Sequence, residues 1–261
     1  MVVAETSRSS ERSLDIDRAK GAPYIAAMTT LVLIRHGQAS FGSDNYDQLS
    51  DLGHRQSRIT GEHLAGLGRL PDVMISGELE RQKDTAIGAQ GQWDGHDADL
   101  EIADAFNEYD ADGLFKAYLP AALREDAELA EAGQRLFQDR RLFQRAFSRI
   151  VRAWLSEEPH DAGDVEGWSA FRGRVQDGLE RLRSNYDRDA RIALFTSGGP
   201  IAVAVGEALG LSPSATIELN WVLFNASITE LRSTKTGWRL MGFNNVTHLE
   251  LVGEPGLVTS R

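Results

Sequence analysis

The 261-residue chain has no cysteine, and that absence excludes a disulfide framework, a thiol nucleophile and thiolate zinc sites. It fits a reducing cytoplasm, the location expected here. Nor is there an uncharged apolar stretch long enough to cross a bilayer, so no membrane partner is expected. Positive charge is in deficit: 28 Lys and Arg face 39 Asp and Glu, a formal net charge of -11. Binding along a nucleic-acid backbone needs clustered cations, so nucleic acid is not an expected partner, although a local basic pocket is still open. Internal repeats are absent, and the 25 glycines are scattered. What is present, 41% hydrophobic and 26% charged residues, suffices to bury a sizeable core without disulfide or metal, in one domain with insertions rather than two.

Residues 1–27 mix charges, Ser and Gly without a sustained period and read as a disordered extension, so a single domain over 28–261 is expected, starting near Met28. The apolar run from Tyr24 to Ala27 is too short for the core of a signal peptide.

From there, short apolar runs alternate with helical patterns. Strands are expected at Leu31 to Arg35, Asp72 to Ser76, Leu100 to Ala103 and Ile192 to Thr196. Helices are expected from Ser50 to Leu67, with Leu52, Ile59, His63, Leu64 and Leu67 at helical spacing, from Glu78 to Gln90, and from Gly113 to Leu123. Further helical patterns cover Gln134 to Glu157, Val165 to Tyr186 and Ile201 to Leu209. Two extended segments, Leu223 to Arg232 and Trp238 to Phe243, flank the turn residues STKTG. The expected fold is α/β and three-layered. A mostly parallel sheet carries helices on both faces and a C-terminal antiparallel hairpin, and a helical insertion over about 111–165 acts as a lid. The exposed sheet edge near the hairpin is a natural surface for a homodimer.

Four apolar β-formers, LVLI, run straight into Arg35, His36 and Gly37. In an α/β fold the carboxyl ends of strands open onto the ligand crevice, so a cation and an imidazole are delivered where chemistry is expected. A lone Arg-His pair at a strand end is more often just a polar stop. Here LVLIRHGQAS is followed by LSDLGHRQ, ISGELERQKDTA and FNEYDADG, and later by EGWSAFRGRV, FTSGGPIAVAV and FNNVTHL. In order and spacing these segments, from Leu31 to Leu249, resemble the histidine phosphatase superfamily, the phosphoglycerate-mutase-like proteins.

The resemblance implies that His36 is a nucleophile that takes up a phosphoryl group, and neutral imidazole is a competent nucleophile near neutral pH. Arg35 and Arg81 match phosphate-binding arginines, whose planar donors fit phosphate oxygens in pairs and offset their charge, so no metal or other cofactor is implied. Glu108 matches the acid that protonates the leaving oxygen and then activates water, a task that needs a raised pKa. Asp104, Asp110 and Asp112 compete for that assignment. A calcium loop beginning at Glu108 fails, because the position of its obligatory last carboxylate holds Leu119. One departure stands out: where such proteins carry Ser-His-Gly after the fourth strand, this chain has Thr196, Ser197, Gly198. Ser197 and Gly198, at a helix start, and Gln38 are the expected further phosphate contacts. Ala39 and Gly42 replace the polar residues usual after the Arg-His-Gly turn. Of the other histidines, His248 is the one worth following.

In the insertion, Arg141, Arg145, Arg149 and Arg152 line one helix face. Such a stripe is ordinarily solvated, and the sharper reading is a basic lid for a multiply charged phosphate. The leading expectation is a phosphatase acting on a small phosphomonoester or related phosphoryl donor, through a phosphohistidine on His36. A mutase is the nearest alternative. A degenerate member that binds a phosphorylated ligand without turnover is the other, suggested by Ser197.

Overall fold

The computed structural model describes residues 28–40, 47–160 and 164–260; the expectation for residues 1–27 therefore lies outside the described residues, as does Gly42. In chain order come β1 (Thr30–Arg35), α1 (Asp51–Gly66), β2 (Val73–Ser76), α2 (Glu80–Gln90) and β3 (Leu100–Ile102). After them lie α3 (Ala111–Glu125), α4 (Ala127–Ala132), α5 (Arg140–Leu155), α6 (Trp168–Asn185) and β4 (Arg191–Thr196). The chain then forms α7 (Gly198–Leu209), α8 (Pro213–Asn220), β5 (Ile228–Thr234), β6 (Gly237–Asn245) and α9 (Thr247–Glu250). Among the described residues no helix is long and apolar enough to cross a membrane.

The strands form one sheet in the order β3-β2-β4-β1-β5-β6. β3, β2, β4 and β1 run parallel, and β5 and β6 add an antiparallel pair beside β1. Both faces are covered, and this is why the central strands read as unbroken apolar runs. Leu31 and Leu33 of β1, Ile75 of β2, and Ile192 and Leu194 of β4 join a core with residues of α3, α5, α6 and α7. Their alternates, Val32, Ile34, Met74, Ala193 and Phe195, meet Leu64 of α1, Ala86 and Ala89 of α2, and Trp93. Each Val, Leu, Ile, Met or Phe among them, fully buried, contributes roughly 1.5–3 kcal/mol.

Position in the sheet creates the crevice. β1 and β4 are in register, Thr30 to Arg191 through Arg35 to Thr196, so their polar ends stand side by side. After β1 the chain turns to α1 on one face, and after β4 to α7 on the other, so the two turns diverge at a topological switch point.

Several expected elements come out differently. Of the apolar residues expected at helical spacing in α1 only Leu64 is buried; it shares that face with Gly53, Gln56, Ser57, Thr60 and Gly61, whereas Leu67 is half exposed. Small and hydrogen-bonding residues let α1 approach α2 and the β1 turn closely. The segment expected as one helix from Gln134 breaks into a 3-10 turn, Gly133–Phe137, and then α5, because Asp139 caps the amides of Arg141 and Leu142. The last long helix begins at Trp168, not Val165, and the strand expected from Leu223 begins only at Ile228. Helix α8 lacked a periodic signal and was not expected; Ser212 caps it and Pro213 opens it.

At its centre the arginine stripe of α5 is partly exposed, as a solvated face is, and it is ion-paired rather than a free basic lid. Arg145 Nε (2.6 Å) and Arg149 Nη2 (3.1 Å) both hold the buried carboxylate of Asp126, and Arg145 also pairs with Glu128. The stripe clamps α5 to the start of α4, so its charge is spent inside the insertion.

Candidate active site

Sequence places Arg35, His36 and Gly37 at the end of a buried strand, and the fold fixes them from three sides. His36 continues the ladder by donating its amide to Thr196 O (2.8 Å), and Gly37 N donates to Thr85 Oγ1 of α2 (3.0 Å). Gly37 and Gly53 meet without side chains. A Cβ on Gly37 would lie 2.5 Å from Gly53 O, and one on Gly53 would lie 2.2 Å from Gln38 O. The next residues are closed at their root: Ser50 N donates to Gln38 O (2.9 Å), Ser40 N donates to Gln48 O (2.8 Å), and Ala39 bridges Leu49. Gln38 is thereby drawn to Ser50, whose hydroxyl donates to its Oε1 (2.8 Å).

The His36 ring is 6% exposed, and Nδ1 lies 2.7 Å from Gly37 O. A carbonyl only accepts, so Nδ1 carries the proton and Nε2 presents its lone pair. Arg81 Nε donates to that nitrogen (3.3 Å). Burial holds the imidazole pKa well below 6.5, and the guanidinium groups of Arg81 and then Arg35 push it the same way, against the carbonyl of Gly37. The ring is therefore neutral at physiological pH.

Arg81 lies in the first turn of α2, its side chain 11% exposed. Asp47 orients it: Oδ1 accepts from Arg81 Nη1 (2.5 Å) while Oδ2 accepts the Glu80 amide (2.8 Å). Arg35 donates through Nη1 to Leu223 O and to Ser260 O (3.1 Å).

Glu108 leaves the 3-10 turn Asp104–Phe106 and sets its carboxylate on the start of α7, where Gly199 N lies 3.1 Å from each oxygen. Arg174 of α6 supports this stretch by donating to Ala105 O (3.0 Å) and Asn107 O (2.9 Å). Glycine is required at 199, since a Cβ there would fall 2.1 Å from Glu108 Oε1. Loss of surrounding water raises the Glu108 pKa above 4.5, opposed by the Gly199 amide, Arg81, the Tyr109 amide and Arg35. Among the competing acids, Asp110 is spent on capping α3.

The structure thus gathers Arg35, His36, Arg81 and Glu108 around the β1 and β4 ends. Ser197 is in the same turn but fully buried, its hydroxyl accepting from Gln82 Nε2 (2.8 Å). Gln82 is also fully buried and its Oε1 has no partner among the described residues. Gly198 opens α7 beside it. His248 is buried far along the chain on α9, bonded to Thr60 Oγ1 (3.1 Å) and stacked on His63, so it is a packing residue of α1. Asp47, Gln56, Thr85, Gln82, Arg174 and Asn225 support the site without having been singled out. For Gln56, a polar residue within the small-residue stripe of α1 was an available signal; Asn225 and Asp47 sit in loops without period. Among the described residues no group of three or more His, Asp or Glu side chains could hold a metal ion.

Similar architectures are found among solved structures. A phosphoglycerate mutase from Bacillus anthracis str. Sterne is 15% identical at a TM-score of 0.59, covering 87% of this chain and 97% of that one. A phosphoserine phosphatase from Entamoeba histolytica, in complex with phosphoserine, is 17% identical at a TM-score of 0.57, with 85% and 100% covered. A mycobacterial glucosyl-3-phosphoglycerate phosphatase is 21% identical at a TM-score of 0.53, with 83% and 99% covered. No curated protein sequence matches. The sequence pattern of the histidine phosphatase superfamily (branch 1) matches residues 31–117 and 113–246, the span that holds the whole sheet but for Thr30 and all four gathered side chains, and the chain belongs to that superfamily.

Proposed function

We propose that the protein hydrolyses a small phosphomonoester by way of a phosphohistidine on His36. The observation that carries this reading is the His36 ring itself: neutral, its Nδ1 proton committed to Gly37 O, and its Nε2 lone pair directed at the guanidinium of Arg81. A phosphoryl group held between Arg35 and Arg81 meets that lone pair. The P–N bond forms as the P–O bond to the leaving group breaks, and the Glu108 carboxyl gives its proton to the departing oxygen. Glu108, now a carboxylate, takes a proton from water as that water attacks phosphorus. The P–N bond breaks, and inorganic phosphate leaves a neutral His36 and a protonated Glu108. The two arginines supply the charge that offsets the transferring group. The phosphoserine and glucosyl-3-phosphoglycerate named for the structural relatives fit a substrate of metabolite size.

A second reading, ligand binding without turnover, is favoured by one feature: the position of the second histidine holds a neutral serine sealed against Gln82. A panel of phosphomonoesters separates the two. Phosphate release, with acid-labile and base-stable label on His36 that disappears in His36→Ala, supports catalysis. Tight phosphate binding with neither release nor label supports the binding module. Release that survives in His36→Ala removes the nucleophile assignment.

A further inference from the structure

The turn that carries His36 is closed by a one-way hydrogen-bond circuit that passes through a residue outside every matched motif. Gln38 N donates to Gln56 Oε1 (2.8 Å). The other end of that amide, Gln56 Nε2, donates to Thr259 Oγ1 (3.0 Å). Thr259 Oγ1 donates to Asn225 Oδ1 (3.0 Å), and Asn225 Nδ2 donates to His36 O (3.3 Å). Each orientation follows from the one before. A backbone amide only donates, so Gln56 must turn its oxygen towards Gln38 and its nitrogen towards Thr259. The Thr259 proton then goes to Asn225, whose nitrogen is left for His36.

The segment bearing Thr259 is seated independently. Leu257 is 2% exposed in a cluster with Ala226, Val246 and Leu249, and it packs on Leu52 and Ile59 of α1. Leu257 O accepts from Gln56 Nε2 (2.8 Å), Thr259 O accepts the Asn225 amide (2.7 Å), and Ser260 O accepts from Arg35. Gln56 and Asn225 are 0% and 1% exposed, so neither amide has water to fall back on if the hydroxyl is lost.

We infer that Thr259 is a positioning residue for the phosphoryl-transfer site, holding the nucleophile turn through Gln56 and Asn225; this rests on the function proposed above. Arg81 is held separately by Asp47, and Arg35 by Leu223 O as well as by Ser260 O, so phosphate binding depends less on the circuit than does the aim of the His36 ring.

The test compares wild type, Thr259→Val, Thr259→Ser and His36→Ala, with kcat, KM and single-turnover labelling of His36. Thr259→Val keeps the shape and removes the hydroxyl. It is expected to slow labelling and kcat about 10- to 100-fold, the scale of a misplacement near 1 Å, with KM nearly unchanged and Thr259→Ser close to wild type. Labelling by Thr259→Val at the wild-type rate overturns the inference, and so does Thr259→Ser falling as far as Thr259→Val, since packing of the methyl group would then be responsible. If Thr259→Val does not fold, the smaller Thr259→Ala carries the same expectation. Wild type that takes no label on His36 defeats the proposed function instead. The circuit is then read by NMR of 15N-labelled protein: a slowly exchanging His36 Nδ1 proton in wild type that exchanges faster in Thr259→Val supports it, and equal exchange overturns it.

Discussion

Replacing Gly199 by alanine should uncouple catalysis from folding. The new Cβ would stand 2.1 Å from Glu108 Oε1 and 3.0 Å from both Phe171 Cζ and Tyr109 Cδ1. Phe171 is 0% and Tyr109 9% exposed, so the aromatic rings cannot give way, and the carboxylate must. A carbon-oxygen contact needs about 3.4 Å, so the carboxylate retreats by about 1 Å or more and loses the Gly199 amide. A general acid displaced that far costs on the order of 10²-fold in rate. Stability moves much less. Alanine in a helix gains about 1 kcal/mol over glycine, against about 1–3 kcal/mol for overpacking. The assay is kcat for two substrates beside a thermal melt: an alkyl phosphate whose alkoxide needs a proton, and a nitrophenyl phosphate whose phenolate leaves without one. The alkyl rate should fall about 100-fold and the aryl rate only a few-fold. Equal losses on both substrates, or none on the alkyl ester, would refute the role given to Glu108 and its seat on α7.

Four further outcomes follow from the same geometry. His36 must be neutral and Glu108 protonated, and burial lowers the first pKa and raises the second; kcat/KM should therefore fall as pH rises through the raised Glu108 pKa, and Glu108→Gln should abolish that falling limb in a pH-rate profile. Ser197→His meets a buried Gln82 and should lower stability by about 1–3 kcal/mol through overpacking, whereas the double variant with Gln82→Ala makes room and should recover the loss in urea titration. Burial, and then the charge of His63, lowers the His248 pKa from 6.5 to about 4. The folded protein thus refuses a proton that the unfolded chain takes, so stability is full above pH 6.5 and falls by up to about 3 kcal/mol as pH drops towards 4. Urea midpoints for His248→Gln should depend less on pH over that window. Reversing Arg145 and Arg149 to glutamate strands the Asp126 carboxylate and should lower Tm, while KM for a simple phosphomonoester keeps its salt dependence.

The legible parts of this molecule were those written locally. β1 and β4 are covered on both faces, so they appear as unbroken apolar runs, and their register places Arg35 beside Thr196. The helix after β1 was legible in extent, but its apolar spacing does not mark its closest contact. Its buried stripe is glycine, glutamine, serine and threonine, because it packs backbone against backbone, and the hydrophobic pattern marks instead the side that Leu257 covers. Asn225 and Thr259 were invisible for a different reason. Each is a single polar residue in aperiodic chain, and its meaning comes from partners 189 and 203 residues away. The fate of Arg145 and Arg149 depended likewise on where Asp126 falls in space.

The backbone contact between Gly37 and Gly53 has a consequence for how this enzyme could be altered. The chain that leaves the His36 turn at Gln38 is met again at Ser50, and the two residues are tied to each other. The turn that holds His36 is therefore braced at its own base, by the amides of Ser40 and Ser50 and by the bond between Gln38 and Ser50. Alteration stops at Gly37 and Gly53: a side chain at either would force the start of α1 away from the turn that carries His36, and with it the Ser50 cap and the Gln38 bond.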